Sequence, residues 1–176
     1  MIRNTKETEI EVLLDSEKTS VDTGDPILDH MMKTLFFYME KNVKIKCKYD
    51  LRHHLWEDLG ITVAEELSSY TGKRHIKRFG NATMPMDESL VMVSLDISRA
   101  YINFDVNFAD SEGFEINLLY EFLWALARTM PLTLHVIMMN GKNAHHITEN
   151  IFKSLGVALG IAIQDNQYLR STKGTL

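Results

Sequence analysis

Two short runs of the sequence combine the residue types that bind transition metals in proteins. Both have the pattern His-His-x-x-Glu, and their members are His53, His54, Glu57, His145, His146 and Glu149. The second run repeats the first at a constant offset of 92 residues, from position 53 to position 145. A single motif of this kind is common on helix surfaces, but two copies at matching places indicate metal binding. Imidazole nitrogen and carboxylate oxygen together suit Mn, Fe, Co, Ni or Zn.

The residues around each motif predict a helix that presents the ligands on one side. Apolar residues recur at helical spacing after both motifs, at Leu55, Leu59, Val63 and Leu67, and at Ile147, Ile151, Leu155, Ala158 and Ala162. The first histidine and the glutamate of a motif are four residues apart and share a face, whereas the second histidine is turned by about 100°. Each motif can therefore chelate one metal and offer a ligand to a second. His30 and His135 are candidates to complete the two shells, and more than four ligands favours an octahedral ion over tetrahedral zinc.

The elements that must position these ligands also occur twice. Alternating strand patterns cover residues 7–15 and 88–96, amphipathic helices cover 27–40 and 118–130, and further strands cover 43–49 and 132–139. We interpret this order as a duplicated ββαβα-type half, approximately 1–84 and 85–176, within one domain of residues 1–176. The predicted fold class is α+β, in which each half is a mostly antiparallel sheet with helices packed on one face.

Composition excludes several classes of protein. The 176 residues are 45% hydrophobic and carry a net charge of −5, which argues against nucleic-acid binding. No apolar run is long enough for a transmembrane helix, and no signal peptide is visible, so we expect a soluble cytoplasmic protein. The single cysteine, Cys47, excludes an internal disulfide and a cysteine-based zinc cage. We expect it to be a buried, inert thiol.

The motifs together resemble one family, the imidazoleglycerol-phosphate dehydratases. The resemblance covers essentially the whole chain in order and rests on several short pieces. These are DHM (29–31), HHLWED (53–58), RFG (78–80), PMDE (85–88), LDIS-R (95–99), LH (134–135), GKNAHHITENIFK (141–153) and STKG (171–174).

The resemblance implies a manganese-dependent hydro-lyase of histidine biosynthesis that converts imidazole glycerol phosphate to imidazole acetol phosphate and water. It implies two Mn²⁺ per active site, and trimers that assemble into a 24-subunit homo-oligomer with active sites between subunits. The implied metal ligands are His30, His53, His54, Glu57, His135, His145, His146 and Glu149. Glu7 corresponds to a substrate-contacting carboxylate and is the candidate proton shuttle. The implied phosphate-binding or site-lining residues are Arg78, Arg99, Lys153, Ser171 and Lys173.

The chain departs from the family pattern near the implied phosphate site. Thr34 and Tyr38 stand where the family often has a glutamine and a histidine, and the usual glycine before Arg99 is missing. The approach to the first histidine pair, residues 49–52, also differs from the usual Gly-Asp pattern. No metal-ligand position departs.

The implied reaction removes a proton from a carbon that is not next to a carbonyl group, so the developing charge needs an electron sink. We hypothesise that the imidazole ring of the substrate, held as a metal-bound imidazolate, is that sink. Two other functions fit the ligand pattern. They are a non-catalytic metal-binding shell protein and another metal-dependent enzyme on the same scaffold, such as a hydrolase.

The duplicated ligands can be tested in the two glutamates. Glu57→Ala and Glu149→Ala are each expected to lower both metal content and activity, because each removes the carboxylate of one motif. Metal analysis of the purified variants, together with a rate assay, checks this. Full metal occupancy and full rate in both variants would refute the ligand assignment.

Overall fold

Two four-stranded sheets enclose the helices of this chain in a computed structural model that describes residues 1–174. The elements of the first half are β1 (Ile2–Asn4), β2 (Thr8–Leu14), β3 (Ser20–Asp22), α1 (Pro26–Tyr38), β4 (Val43–Tyr49) and α2 (Arg52–Thr71). Those of the second half are β5 (Phe79–Met86), β6 (Ser89–Ile97), β7 (Tyr101–Asp105), α3 (Ile116–Thr129), β8 (Leu132–Asn140) and α4 (Ala144–Ala162).

The two halves have the same order of elements and the same strand pairing. The first sheet has the order β1-β2-β4-β3 and the second β5-β6-β8-β7. In each, two antiparallel pairings are followed by one parallel pairing at the edge, β3 with β4 and β7 with β8. The α+β prediction of two similar halves is confirmed.

The predicted half is one strand too short. The strands β3 and β7 precede the first helix of each half and were not expected. Each runs parallel to its partner, so the chain needs a crossover, which α1 and α3 provide. β3 has only three residues, and no residue of β7 is fully buried. In β7, Ile102 and Phe104 alternate with Asn103 and Asp105, so its sequence does carry a short strand signal, whereas β3 is too short to show one.

The helices pack on one face of each sheet and meet one another between the sheets. α1 packs against α4, and α2 packs against α3. The core that they share is aliphatic and aromatic, and the rings of Phe122 and Phe152 meet in it at 5.4 Å between centroids. Among residues 1–174, no helix is long and apolar enough to cross a membrane.

Cys47 lies on β4 and is partly buried against the edge of the core. Burial raises the pKa of its thiol to about 12, so almost no reactive thiolate forms at neutral pH. This agrees with the expectation of an inert thiol.

Two glycines on α4 allow it to approach α1 closely. A Cβ atom on Gly156 would lie 2.4 Å from the carbonyl oxygen of Leu35 and 2.9 Å from Cβ of Tyr38. One turn later, a Cβ atom on Gly160 would lie 3.0 Å from the carbonyl oxygen of Met39. Since α1 carries His30 and α4 carries His145 and Glu149, this crossing sets the distance between candidate ligands.

Gly156→Ala is expected to destabilise the fold by roughly 1–3 kcal/mol, because the new methyl group meets backbone that cannot move aside cheaply. Helix propensity by itself favours alanine over glycine, so the expected loss of stability comes from the steric contact and exceeds this gain. Urea denaturation measures it, with Ser69→Ala on the exposed side of α2 as a control that should change stability little. A Gly156→Ala protein as stable as the wild type would contradict the close packing.

Candidate functional site

Three predicted ligands converge between α1 and α4. Nε2 of His30 and Nε2 of His145 each lie 3.0 Å from Oε2 of Glu149. Among residues 1–174 these three side chains form the one group of histidine, cysteine or carboxylate ligands whose donor atoms all lie within 4.8 Å of one another. Two imidazole nitrogens and a carboxylate oxygen directed at one point are a suitable ligand set for a divalent transition metal.

Local structure fixes the two ligands on α4. His145 and Glu149 are four residues apart, so they share a face of the helix. Asn143 caps this helix, and its Oδ1 accepts hydrogen bonds from the backbone amides of His145 (2.9 Å) and His146 (3.1 Å). The cap holds both histidines at a defined start of the helix.

Glu149 is ionised despite its burial. Burial opposes the charge, but hydrogen bonds from His30 and Lys153 outweigh it and lower the pKa of Glu149 to about 2. Nζ of Lys153 lies 2.9 Å from Oε1, so the other carboxylate oxygen remains directed at the histidines. A metal ligand must be deprotonated to bind, and Glu149 meets this requirement at neutral pH.

The second histidine of each motif is oriented by a carboxylate. Nδ1 of His146 lies 2.8 Å from Oε2 of Glu88, and Nδ1 of His54 lies 2.7 Å from Oδ1 of Asp50. Each hydrogen bond raises the pKa of its histidine. A partner on Nδ1 leaves Nε2 of the same ring to bind a metal, which is the usual role of a carboxylate behind a ligating histidine.

Glu88 itself is held by the start of α4. Its Oε1 accepts hydrogen bonds from the backbone amides of Lys142 (3.1 Å) and Asn143 (2.8 Å). The hydrogen bond with His146 and then that with Asn143 lower the pKa of Glu88 to about 2. The sequence pattern predicts Glu88 at the start of a strand over 88–96, whereas in the structure it lies in the turn between β5 and β6. Its contact with a histidine 58 residues away leaves no signal in the sequence.

Within residues 1–174, the histidine and the glutamate of the first motif do not meet a third ligand as those of the second motif do. Nε2 of His53 lies 3.9 Å from Oε2 of Glu57, and the other oxygen of Glu57 accepts a hydrogen bond from Arg128 on α3. His53 and Glu57 therefore face a cation of the neighbouring helix, whereas Glu149 faces a histidine, His30. Within the described part of the chain, no third histidine or carboxylate completes a cluster with them.

His135 lies away from the other predicted ligands. It is on β8 between Leu134 and Val136, which point into the core, so its ring projects from the outer face of the second sheet. There it contacts the ring of Tyr101 at 5.6 Å between centroids. The helices occupy the opposite face of this sheet, so His135 does not join His30 and Glu149 in this chain.

Glu7 lies beside the first motif. It immediately precedes β2, its carbonyl oxygen accepts a hydrogen bond from the amide of Asp50, and its Oε2 is 3.9 Å from Nδ1 of His54. The side chain is 55% exposed, which leaves it accessible to a bound substrate.

Four of the predicted anion-binding residues share one cavity of about 830 Å³. Its lining comprises Arg78, Phe79, Ser98, Arg99 and residues 168–173, and so includes Ser171 and Lys173. Arg170 adds a further cation that the sequence analysis did not single out. Lys153, the fifth predicted residue, lies instead beside Glu149, with its Nζ 3.3 Å from Sδ of Met86.

Arg78 is the fixed member of this cavity. Its guanidinium binds Asp96 through Nε (2.5 Å) and Nη2 (2.8 Å), and its Nη1 donates to the carbonyl oxygen of Arg170 (2.8 Å). The backbone amide of Arg78 donates to the carbonyl oxygen of Ala162, at the end of α4. These contacts join the cavity wall to the C-terminal segment that carries Ser171.

The two unusual residues on α1 lie outside this cavity. Thr34 is buried within the helix, and the ring of Tyr38 lies 5.9 Å from Nζ of Lys153. Neither lines the cationic cavity, so its cations do not depend on contact with either side chain.

Comparison with known proteins points to one family. A family model described as imidazoleglycerol-phosphate dehydratase matches residues 23–159. The imidazoleglycerol-phosphate dehydratase of Pyrococcus furiosus is 51% identical over 178 residues, with all of both chains covered. The enzyme of the same name from Metallosphaera sedula is 40% identical over 187 residues, covering 99% of this chain and 96% of the relative.

Solved structures show the same likeness. The crystal structure of the Pyrococcus furiosus protein in complex with (S)-C348 superposes with a TM-score of 0.96 at 50% identity, covering all of both chains. The imidazoleglycerol-phosphate dehydratase of Staphylococcus aureus superposes with a TM-score of 0.85 at 31% identity, covering 94% of this chain and 98% of that one.

The contact between Glu88 and His146 predicts a pH-dependent contribution to the stability of metal-free protein. The lowered pKa of Glu88 stabilises the fold above about pH 4.5, and this gain is lost as the pH falls towards 2. The raised pKa of His146 stabilises the fold below about pH 6.5, and this gain is lost as the pH rises through the pKa of His146 in the folded protein. The melting temperature of Glu88→Gln should therefore fall furthest below that of the wild type between about pH 4.5 and 6.5.

Thermal melts of chelator-treated protein from pH 4.5 to 9 check this, with the exposed Glu17→Gln as a control. A deficit that stays constant over that range, or grows towards pH 9, would contradict the ion pair.

Proposed function

The chain belongs to the imidazoleglycerol-phosphate dehydratase family and is a dehydratase of histidine biosynthesis, and we propose that it works with two divalent metal ions, Mn²⁺ by preference. The substrate is imidazole glycerol phosphate, and the products are imidazole acetol phosphate and water. The observation that carries the metal proposal is the convergence of His30, His145 and Glu149 from two helices.

The residues present fit such an ion. Glu149 supplies a carboxylate that is ionised at neutral pH, and the two histidines supply nitrogens beside it. A mixed set of nitrogen and oxygen donors suits Mn²⁺ as well as Fe²⁺, Co²⁺ and Zn²⁺. Three protein ligands leave coordination positions for a substrate and for further protein ligands. When bound, the ions would act as Lewis acids that draw electron density from the imidazole ring of the substrate.

Proton transfer is assigned to Glu7. Dehydration takes a proton from a carbon atom and returns one to the departing hydroxyl group, so a single carboxylate can serve both steps. Glu7 is accessible and lies next to His54, which places it beside a predicted metal ligand. Its backbone is tied to Asp50, which also orients His54, so one loop positions both residues.

The cationic cavity is assigned to the phosphate of the substrate. Arg99, Arg170 and Lys173 supply positive charge, while the charge of Arg78 is shared with Asp96. Arginine binds phosphate through paired hydrogen bonds and lysine as a point charge, so the lining suits a dianion. A metal-storage shell has no need for such a cavity.

Completion of the site is assigned to further copies of the chain. His135 lies on the outer face of the second sheet, whereas the cluster of His30, His145 and Glu149 lies between helices on its other side. A homo-oligomer that places the outer face of one copy against the helix starts of another would bring these groups together. The expected trimers and 24-subunit assembly follow from the resemblance. The proposed cytoplasmic location follows instead from the sequence, in which no transmembrane run and no signal peptide are visible.

Metal removal tests the proposal. Protein stripped with a chelator should not convert imidazole glycerol phosphate to imidazole acetol phosphate, and added Mn²⁺ should restore turnover. Mg²⁺, which keeps its waters and prefers oxygen ligands, is the control ion and should restore little activity. Full turnover by protein shown to be free of metal would contradict the proposal.

A further inference from the structure

Arg52, directly before the first histidine pair, connects three separate segments of the chain. Its Nε donates to Oδ2 of Asp25 (2.9 Å), its Nη2 donates to the carbonyl oxygen of Gly113 (3.2 Å), and its Nη1 binds Glu115.

The Asp25 end of this connection is rigid. Asp25 is only 4% exposed, and it caps α1 by accepting the amide of Ile27 at Oδ1 (3.0 Å). Its Oδ2 also accepts from Nε1 of Trp56 (3.1 Å). Arg52 is therefore anchored at the start of the helix that carries His30.

The other end holds a short segment, residues 113–115, against that helix. Gly113 has a φ of +84°, and a Cβ atom there would lie 2.9 Å from Cδ1 of Ile27. Phe114 in the middle of the segment is nearly buried, and its ring stacks on the imidazole of His145 at 4.9 Å between centroids and 15° between planes.

This stacking contact bears on a metal ligand. His146 and His54 are each oriented by a carboxylate on Nδ1, whereas the flat face of the His145 ring rests on Phe114. A ring held in this way cannot turn about its side-chain bonds without losing the stacking contact. Nε2 of His145 thus stays directed at Glu149, and pre-oriented ligands bind metal more tightly than free ones.

We propose that Arg52 is a positioning residue for the metal centre of the second motif. By fixing residues 113–115 against α1 it keeps Phe114 on the ring of His145, so the residue before the first motif sets the metal affinity of the second. This inference rests on the proposed metal site of His30, His145 and Glu149.

A double-mutant cycle tests the route through Phe114. Mn²⁺ affinity is measured by calorimetry on chelator-stripped wild type, Arg52→Gln, Phe114→Leu and the double variant. Each single change should weaken Mn²⁺ binding by about tenfold, the lower end of the effect seen when a supporting partner of a ligand is removed. The double variant should bind no more weakly than Phe114→Leu, because Arg52 acts through that ring.

Arg74→Gln is the matched control. Arg74 also binds a carboxylate, Asp165 (3.1 Å), and a backbone carbonyl, that of Tyr70 (2.6 Å), but it contacts no predicted ligand. It should leave Mn²⁺ affinity unchanged. If Arg52→Gln does not fold, Arg52→Lys is used in its place. An ammonium group cannot contact all three partners, so this variant should show the same loss of Mn²⁺ affinity.

The outcomes distinguish a failure of this inference from a failure of the proposed metal site on which it rests. Wild-type protein that binds Mn²⁺, together with unchanged affinity in Arg52→Gln, would overturn the inference alone. The inference would also be overturned if Arg52→Gln weakened Mn²⁺ binding by the same factor in the wild type and in the Phe114→Leu variant. Arg52 would then act by a route that does not involve Phe114. Wild-type protein that binds no Mn²⁺ would overturn both the metal site and the inference.

Discussion

The approach of α1 to α4 at Gly156 and Gly160 determines whether His30 can reach Glu149. Each helix carries part of the cluster, and backbone contact at the crossing leaves no room for a side chain. Helices usually pack with their axes 8–10 Å apart, and small residues at the crossing give the shorter distances. The same close packing excludes water from around Glu149, so its charge depends on His30 and Lys153. The geometry of the proposed metal site is thus coupled to packing that lies two turns away from Glu149.

The two copies of the motif lie in different environments, and the partners of their glutamates show this. The glutamate of each motif pairs with a residue from the helix that its own helix crosses. Glu149 pairs with His30 of α1, whereas Glu57 pairs with Arg128 of α3. A histidine can share a metal with the glutamate, but a guanidinium cannot, since it is always protonated. The second motif therefore approaches a metal site within one chain, and the first requires either a new partner or a shift of Arg128. This asymmetry supports the proposed contribution of further copies.

Much of this arrangement could be predicted from the sequence because it is local. The ligands at positions i and i+4, the apolar stripes and the alternating strands all depend on short-range periodicity. The contact of His30 with Glu149 joins residues 119 apart in the chain. His30 could be named as a candidate ligand from its residue type, but no local spacing pairs it with Glu149. Arg52, Phe114 and Arg170 acquire their roles through tertiary contacts with no local pattern, so nothing in the sequence selects them. Glu88 lies in the PMDE run that carries the resemblance, but its contact with His146 has no local pattern either. The edge strand β3 was missed because three residues are too few to show a period, and β7 because its alternating run is only five residues long.

Diffraction shows whether His30, His145 and Glu149 bind one metal ion. Crystals soaked in Mn²⁺ would be measured at wavelengths on both sides of the manganese absorption edge. We expect an anomalous peak that vanishes on the low-energy side of the edge and lies within coordination distance of Nε2 of His30, Nε2 of His145 and Oε2 of Glu149. Manganese bound only elsewhere, with His30 and His145 each still hydrogen-bonded to Glu149, would contradict the proposed metal site.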